Sequence, residues 1–255
     1  MNGIEDILSI ASFAVEIYDN LNINGIGTAF FIRRNNELFL ITNWHIVTNR
    51  NAFTNVTIGK FLPHKLIASV PLLKDRKVIF AKLSVPLIDK AGLPLWKTHP
   101  LFKSHHVDIV SIKVENRDDV LPINEIPSLR PIKVSIGEEV TINGFPLGLE
   151  FGPYPIFKKG FIATEPNIDL KDLPIILVDS ATRSGMSGSP VFVSRTDTYT
   201  EDITNDTVME GGKFYKFLGV YSGRYGVDEA NKESLHLGIV WKASLLEQLL
   251  TIDGR

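Results

Sequence analysis

The chain has 255 residues, of which 44% are hydrophobic, so it can bury a large core as one large domain or two small ones. Its formal net charge of −2 and the lack of a long basic run argue against nucleic acid or an anionic membrane as its main partner. With no cysteine, neither disulfides nor a cysteine-ligated zinc site can hold the fold together.

The N-terminal segment gives no signal for export. It is acidic at Glu5 and Asp6, and the apolar stretch from Ile7 to Val15 ends at Glu16, without the cationic start of a secretory leader. No apolar run reaches the roughly 20 residues of a membrane helix. We expect a cytoplasmic protein of bacterial type, although a secreted chain whose leader had been removed would look the same.

The first part of the chain is built of short β-type runs. Ile4 to Ile10 predicts a short amphipathic helix, and Ser12 to Tyr18 predicts a strand. Gly27–Ile32 and Leu38–Thr42, separated by a polar turn, predict a hairpin. Further strands are predicted over Val56–Phe61, Lys77–Ser84 and Leu93–Thr98.

Two polar residues stand out beside these runs. His45 follows the hairpin directly, within Asn43-Trp44-His45-Ile46-Val47, and Asp108 opens an alternating strand that ends near Val114. A lone histidine beside an apolar run is usually a packed structural residue, and an acid at a strand start usually serves solubility. Neither residue therefore identifies a site by itself.

After a polar, proline-bearing connection over 116–136, the second part is again strand-rich. The polar stretch Thr196–Gly212 predicts a surface loop, and the leucines of Ala243–Leu250 predict an amphipathic closing helix. The predicted strands are Glu138–Ile142, Phe157–Ala163, Ile175–Ser180, Phe217–Gly223 and Leu235–Trp241.

The stretch from Ala181 to Pro190 is a glycine-punctuated polar loop that leads into the apolar run Val191-Phe192-Val193. Gly185 lets the backbone approach a ligand closely, and Gly188 lets the chain bend just after Ser187. This arrangement predicts that the Ser187 hydroxyl lies beside the backbone amides of Gly185 and Ser187. Amide donors at that point stabilise the oxyanion that forms when a serine attacks a carbonyl.

Three segments together resemble the trypsin-like (chymotrypsin-fold) serine peptidases of the cysteine-free bacterial type. They are Gly-Met-Ser-Gly-Ser-Pro at Ser187, Thr-Asn-Trp-His at His45 and the strand that Asp108 opens, in the order that this family uses. The resemblance implies an all-β fold of two six-stranded antiparallel β-barrels, with a short N-terminal and a C-terminal helix. The whole of 1–255 would be one peptidase domain, with barrels at about 11–115 and 137–241, a linker over 116–136 and a closing helix over 242–251.

The resemblance also implies residue roles. Ser187 would be the nucleophile, His45 the general base and Asp108 the residue that orients the imidazole, with the Gly185 and Ser187 amides as the oxyanion hole. The substrate would be a protein or peptide, and no cofactor, nucleic acid or membrane is implied, while the oligomeric state stays open. The implied substrate-binding residues are Ala181, Thr182, Tyr221, Ser222, Gly223 and Gly238.

Two positions depart from digestive relatives. Met186 stands where they carry an aspartate that pairs with a new N-terminus, so activation by N-terminal insertion is not expected. No carboxylate is placed to bind a basic substrate side chain. A small or medium apolar side chain is the first expectation, whereas an inward Arg183 or Arg224 would favour an acidic one.

Two other functions remain open. The fold could serve as a catalytically retired scaffold that binds peptides or senses a ligand, although no triad residue is missing. A metal site at His99, His105 and His106 is less favoured, because their spacing matches no recognised zinc motif and adjacent strand residues point to opposite faces.

Overall fold

A computed structural model describes residues 3–20, 22–225 and 236–251. Two antiparallel sheets, joined by the 116–136 segment, make up most of the described chain. Three α-helices are present among these residues: α1 at Trp44–Thr48, α2 at Phe102–His105 and α3 at Ser244–Thr251. The all-β fold predicted from the sequence is confirmed.

The first sheet has seven strands in the order β5-β4-β1-β2-β3-β7-β6. The resemblance implied six strands here, and the three-residue edge strand β6, which pairs with β7, lies within the predicted strand Leu93–Thr98. The bounds are β1 Phe13–Tyr18, β2 Ile23–Arg34, β3 Glu37–Thr42, β4 Lys65–Lys74, β5 Lys77–Pro86, β6 Trp96–Thr98 and β7 Val110–Val114.

The second sheet is a closed six-stranded barrel in the order β10-β13-β12-β11-β8-β9. Closure leaves no sheet edge along most of its strands, which suits a protein without disulfides. The bounds are β8 Glu139–Gly144, β9 Ile156–Ile162, β10 Ile175–Asp179, β11 Pro190–Thr200, β12 Thr207–Arg224 and β13 Leu237–Lys242.

Two local predictions were wrong, and one strand was not predicted. Val56–Phe61 forms no strand, because the Asn49 side chain bonds the backbone of Gly59 and Phe61 and holds this stretch as a loop. The long strand β4 was missed. Thr196–Gly212 is not a loop throughout, since most of it belongs to the β11–β12 hairpin, where Tyr199 pairs with Val208.

The helical predictions were close to the observed elements. The N-terminal segment forms a 3-10 helix at Ile7–Ile10, shorter than predicted, which begins where the Asp6 carboxylate accepts a hydrogen bond from the Leu8 amide. Helix α3 buries three of its leucines, at 245, 246 and 249. They join a core cluster that contains side chains of both sheets, such as Phe30 of β2 and Phe192 of β11, so the two sheets share one apolar seam.

Candidate active site

His45 and Asp108 meet at the edge of the first sheet. Helix α1 begins at Trp44, directly after β3, and the Asn43 side chain donates a hydrogen bond to the Asp108 carbonyl at 2.7 Å. The imidazole Nδ1 of His45 lies 2.6 Å from Asp108 Oδ2, and the His45 amide donates to Oδ1 at 2.9 Å. Two bonds to one carboxylate fix both the position and the orientation of the ring.

The Asp108 carboxylate is almost completely enclosed, with 4% of its side chain exposed. A buried carboxylate needs charge or hydrogen-bond partners, and here the Ser222 hydroxyl of β12 supplies another donor to Oδ2. With Nδ1–H directed at the carboxylate, the other ring nitrogen, Nε2, carries the lone pair of the neutral imidazole. His45 keeps 19% of its side chain exposed, so this nitrogen is not sealed inside the protein.

Ser187 comes from the closed barrel, just before β11. Its hydroxyl donates a hydrogen bond to the Ser222 carbonyl at 3.2 Å, and no hydrogen bond joins it to His45 in the described structure. Ser222 therefore contacts residues from both sheets: its hydroxyl bonds Asp108 of the first sheet, and its carbonyl bonds Ser187 of the closed barrel. The structure brings the three predicted residues around one serine of β12.

The nucleophile loop, which we define as residues 181–190, is bent by two glycines with positive φ. Gly185 has φ +93°, and a Cβ there would lie 2.2 Å from the Phe145 carbonyl oxygen, so only glycine fits. Gly188 has φ +85° and a Cβ there would lie 2.0 Å from the Thr28 carbonyl oxygen. Within the described residues, neither the Gly185 nor the Ser187 amide donates a hydrogen bond.

Thr28 of β2 fastens this loop to the first sheet, a role that the sequence analysis missed. Its amide donates to the Ser187 carbonyl at 2.8 Å, and its hydroxyl donates to the Gly185 carbonyl at 2.8 Å. The same hydroxyl accepts a hydrogen bond from the Phe145 amide at 3.1 Å. The available signal was a single polar residue ahead of the apolar run Ala29–Ile32, since a buried hydroxyl there needs partners.

Met186 packs into the interior of the closed barrel. Its side chain is fully buried, and its sulfur would lie 3.0 Å from a Cβ at Gly144, so the missing side chain at Gly144 makes room for it. An apolar anchor thus holds the middle of the nucleophile loop.

The predicted substrate-binding residues do not line one pocket. Thr182 and Tyr221 are buried and joined by a hydrogen bond between their hydroxyls, and burial raises the pKa of the Tyr221 phenol. A Cβ at Gly238 would lie 2.5 Å from the Tyr221 ring, so this ring fills the space between Thr182 and β13. Ala181 is exposed on another groove, and residues 226–235 lie outside the described part of the chain.

Ser222 and Gly223 face a groove that also contains His45 and Asp108. Its apolar wall comes from the loop after α1 and from β13, through Phe53, Ile58 and Ile239. Strand β12 pairs with β13 as far as Arg224, but its pairing with β11 stops at Val220, so one edge of Ser222–Arg224 has no partner strand among the described residues. An extended peptide can add to such an edge.

Comparisons with known proteins agree with this architecture. The profile of the trypsin-like peptidase domain matches residues 27–197, which is more than half of the chain. The chain belongs to the trypsin-like peptidase family. No curated protein matches the sequence.

A solved structure of a serine endoprotease shares the fold of this domain. A serine endoprotease from Yersinia pestis is 17% identical with a TM-score of 0.50, and the match covers 97% of this chain and 65% of that one. The peptidase domain thus spans about two thirds of that protein. The inactive form of the Rv3671c protease of M. tuberculosis H37Rv is 14% identical with a TM-score of 0.47, and the match covers 97% of this chain and 91% of that one.

The sequence disfavoured both a metal site at His99, His105 and His106 and a membrane helix. His99 is buried against the backbone of Leu101 and Leu245, and no group of three or more metal-ligating side chains occurs in the described part of the chain. In the same residues no helix is long and apolar enough to cross a membrane.

Proposed function

We propose that the protein is a serine endopeptidase that hydrolyses peptide bonds through an acyl-enzyme on Ser187. The observation that carries the proposal is the doubly bonded His45–Asp108 pair, with contacts at 2.6 and 2.9 Å, next to a serine on a glycine-bent loop. Membership of the trypsin-like peptidase family supports a peptide or protein substrate.

In the first half of the reaction, the Ser187 hydroxyl turns from the Ser222 carbonyl towards Nε2 of His45. The imidazole takes the proton as Oγ attacks the substrate carbonyl carbon, and Asp108 stabilises the imidazolium. The negative charge on the carbonyl oxygen would be met by the Gly185 and Ser187 amides, and each such donor is worth about 2.7–4 kcal/mol of barrier lowering. His45 then protonates the leaving amine as the C–N bond breaks.

In the second half, water replaces the amine. His45 removes a proton from the water, the resulting oxygen attacks the acyl carbon, and the proton returns to Ser187 as the ester bond breaks. A substrate strand added to the free edge of Ser222–Arg224 would hold the scissile bond beside Ser187 during both halves.

One observation favours a second candidate, the catalytically retired peptide-binding scaffold. In the free protein the Ser187 hydroxyl is bonded to the Ser222 carbonyl and not to His45. A scaffold that only binds peptides would need the free β12 edge but would not need the serine to reach the imidazole.

Labelling with a fluorophosphonate separates the two candidates, because this probe reacts only with an activated serine. We expect one label per chain, lost in Ser187→Ala and retained in Ser184→Ala, which alters an exposed serine of the same loop. A folded protein that is never labelled, and that cleaves nothing in a peptide library, would support the retired scaffold.

A further inference from the structure

A second groove lies along the nucleophile loop and contains none of the three proposed catalytic residues. It has a volume of about 390 Å³, within the roughly 300–1,000 Å³ typical of ligand pockets. Ala181 and Arg183 of the nucleophile loop form one wall. The turn after β8 and the start of β9 form the rest, through Pro146, Leu147, Phe151, Ile156 and Lys158.

Lys158 is an unusual residue for its position. It pairs with Ile142 across β8 and β9, and directly paired residues share a face of the sheet. Ile142 and Ile162, which is four residues further along β9, are both buried in the core of the closed barrel. Lys158 therefore extends from the inward face at the end of β9, where no acidic side chain of the described residues pairs with it.

The neighbouring lysine has the opposite environment. Lys159 lies on the other face of β9 and forms an ion pair with Glu139. Its positive charge is thus matched by a described carboxylate, whereas Lys158 has no ion-pair partner among the described residues.

Arg183 adds a second cation to the groove. It is exposed and forms no ion pair with the described residues. Among the described residues no carboxylate lines the groove, so this part of its lining carries two positive charges and no negative one. Such a lining favours an anionic ligand, and arginine in particular suits a carboxylate.

The remaining walls are apolar and partly exposed to solvent. Leu147 is 53% exposed and Phe151 is 61% exposed, which is a large apolar area for one short turn. The turn is not loose, because the Leu147 amide donates to the Ser184 carbonyl of the nucleophile loop at 3.0 Å. A ligand with both an apolar group and an anionic group would match the walls and the charges together.

We propose that this groove binds the carboxyl-terminal residue of a peptide chain whose last side chain is large and apolar. A terminal residue carries its carboxylate and its side chain on the same Cα, so both can enter one groove. An acidic residue inside an extended chain fits this groove less well, because the side chains adjacent to it point to the opposite face. The carboxylate lies between Lys158 and Arg183, and the side chain contacts Leu147 and Phe151.

The test is an NMR titration of the full chain carrying Ser187→Ala, so that binding is measured whether or not the protein is a peptidase. The probes are acetyl-Ala-Ala-Ala-Phe with a free carboxyl end, the same peptide with a carboxyl-terminal amide, and acetyl-Ala-Asp-Phe-Ala-amide. We expect the free acid to bind about ten-fold more tightly than either amide, since hydrogen bonds to a charged carboxylate are stronger than those to a neutral amide.

Substitutions locate the site. Lys158→Gln and Arg183→Gln should each weaken binding of the free acid by about ten-fold, while Lys159→Gln on the same strand should leave it unchanged. Equal affinity for the acid and its amide would overturn the proposal, as would the absence of saturable binding. So would a loss in Lys159→Gln as large as that in Lys158→Gln.

Discussion

The two halves of the candidate site are held in place by different means. On the first sheet, His45 and Asp108 are fixed by side-chain hydrogen bonds that converge on one buried carboxylate. On the closed barrel, Ser187 is fixed through its backbone, by the Thr28 contacts and the buried side chain of Met186 beside it. A histidine base needs partners that set its tautomer, whereas a serine nucleophile needs a loop shape that leaves its hydroxyl free to turn.

We therefore expect substitutions in the two halves to have different effects on activity and stability. Damage to the first half should remove activity with little change in shape, whereas damage to the second should alter the loop and the stability together. Four substitutions test this, in decreasing order of expected effect.

The largest effect is expected from Asp108→Asn. An asparagine at this position would offer one oxygen and one NH₂ group. It could not accept hydrogen bonds on separate oxygens from both the backbone amide and the ring Nδ1 of His45, and it would favour the wrong tautomer of the ring. We expect kcat to fall by about 10⁴, as measured with a peptide substrate, while the far-ultraviolet circular dichroism is retained. Asp119→Asn, which only breaks a surface pair with Arg117, is the control. A loss of less than ten-fold would remove Asp108 from its proposed role.

On the closed barrel, Met186→Ala should act mainly on stability. The side chain is fully buried, so truncation leaves a cavity, and we expect a loss of about 2–5 kcal/mol in the free energy of unfolding by urea. Met186→Leu conserves the volume and should cost less than about 1.5 kcal/mol. If Met186→Ala proved as stable as the parent, the loop would not depend on this anchor.

Thr28→Val tests the hydrogen bonds that join the first sheet to the nucleophile loop. Valine keeps the shape but removes the hydroxyl that bonds Gly185 and Phe145, which leaves buried backbone groups without partners at about 1–3 kcal/mol each. We expect lower stability together with a lower kcat, measured by urea unfolding and peptide cleavage. Thr28→Ser should restore both, and a valine variant with normal kcat would contradict the proposed link to the loop.

The smallest effect concerns His99, which joins the first half to the closing helix. Its Nδ1 accepts from the Leu101 amide and its Nε2 lies 3.1 Å from the Leu245 carbonyl, so the folded protein holds the neutral ring. Burial lowers the pKa of His99 below its ordinary value of 6.5. The unfolded chain therefore binds more protons, and stability should fall as the pH drops from 6.5 towards the lowered value.

Thermal unfolding at pH 7.5 and 5.5 measures this effect. We expect a lower Tm at pH 5.5, and a smaller difference between the two pH values in His99→Gln. His105→Gln, in a half-buried residue of α2, is the matched control. An unchanged pH response in His99→Gln would assign the effect to other groups.

The β class, most strands and the motifs around His45, Asp108 and Ser187 could be predicted from the sequence, because these depend on local periodicity and on glycines at sharp turns. Prediction failed at β4 and at the outer part of the β11–β12 hairpin. In both places the extended conformation is stabilised by pairing with a neighbouring strand, which the local sequence pattern does not reveal. Tyr199, for example, pairs with Val208.

Which side chains meet across the seam could not be predicted from the sequence. Thr28 reaches Gly185 across 157 residues of chain, and Ser222 reaches Asp108 across 114. Likewise, Tyr221 fills the space beside Thr182, and Lys158 lines the second groove while Lys159 lies on the other face of β9. Such contacts depend on strand register and on how two sheets pack, because a shift of one residue would turn each of these side chains to the other face.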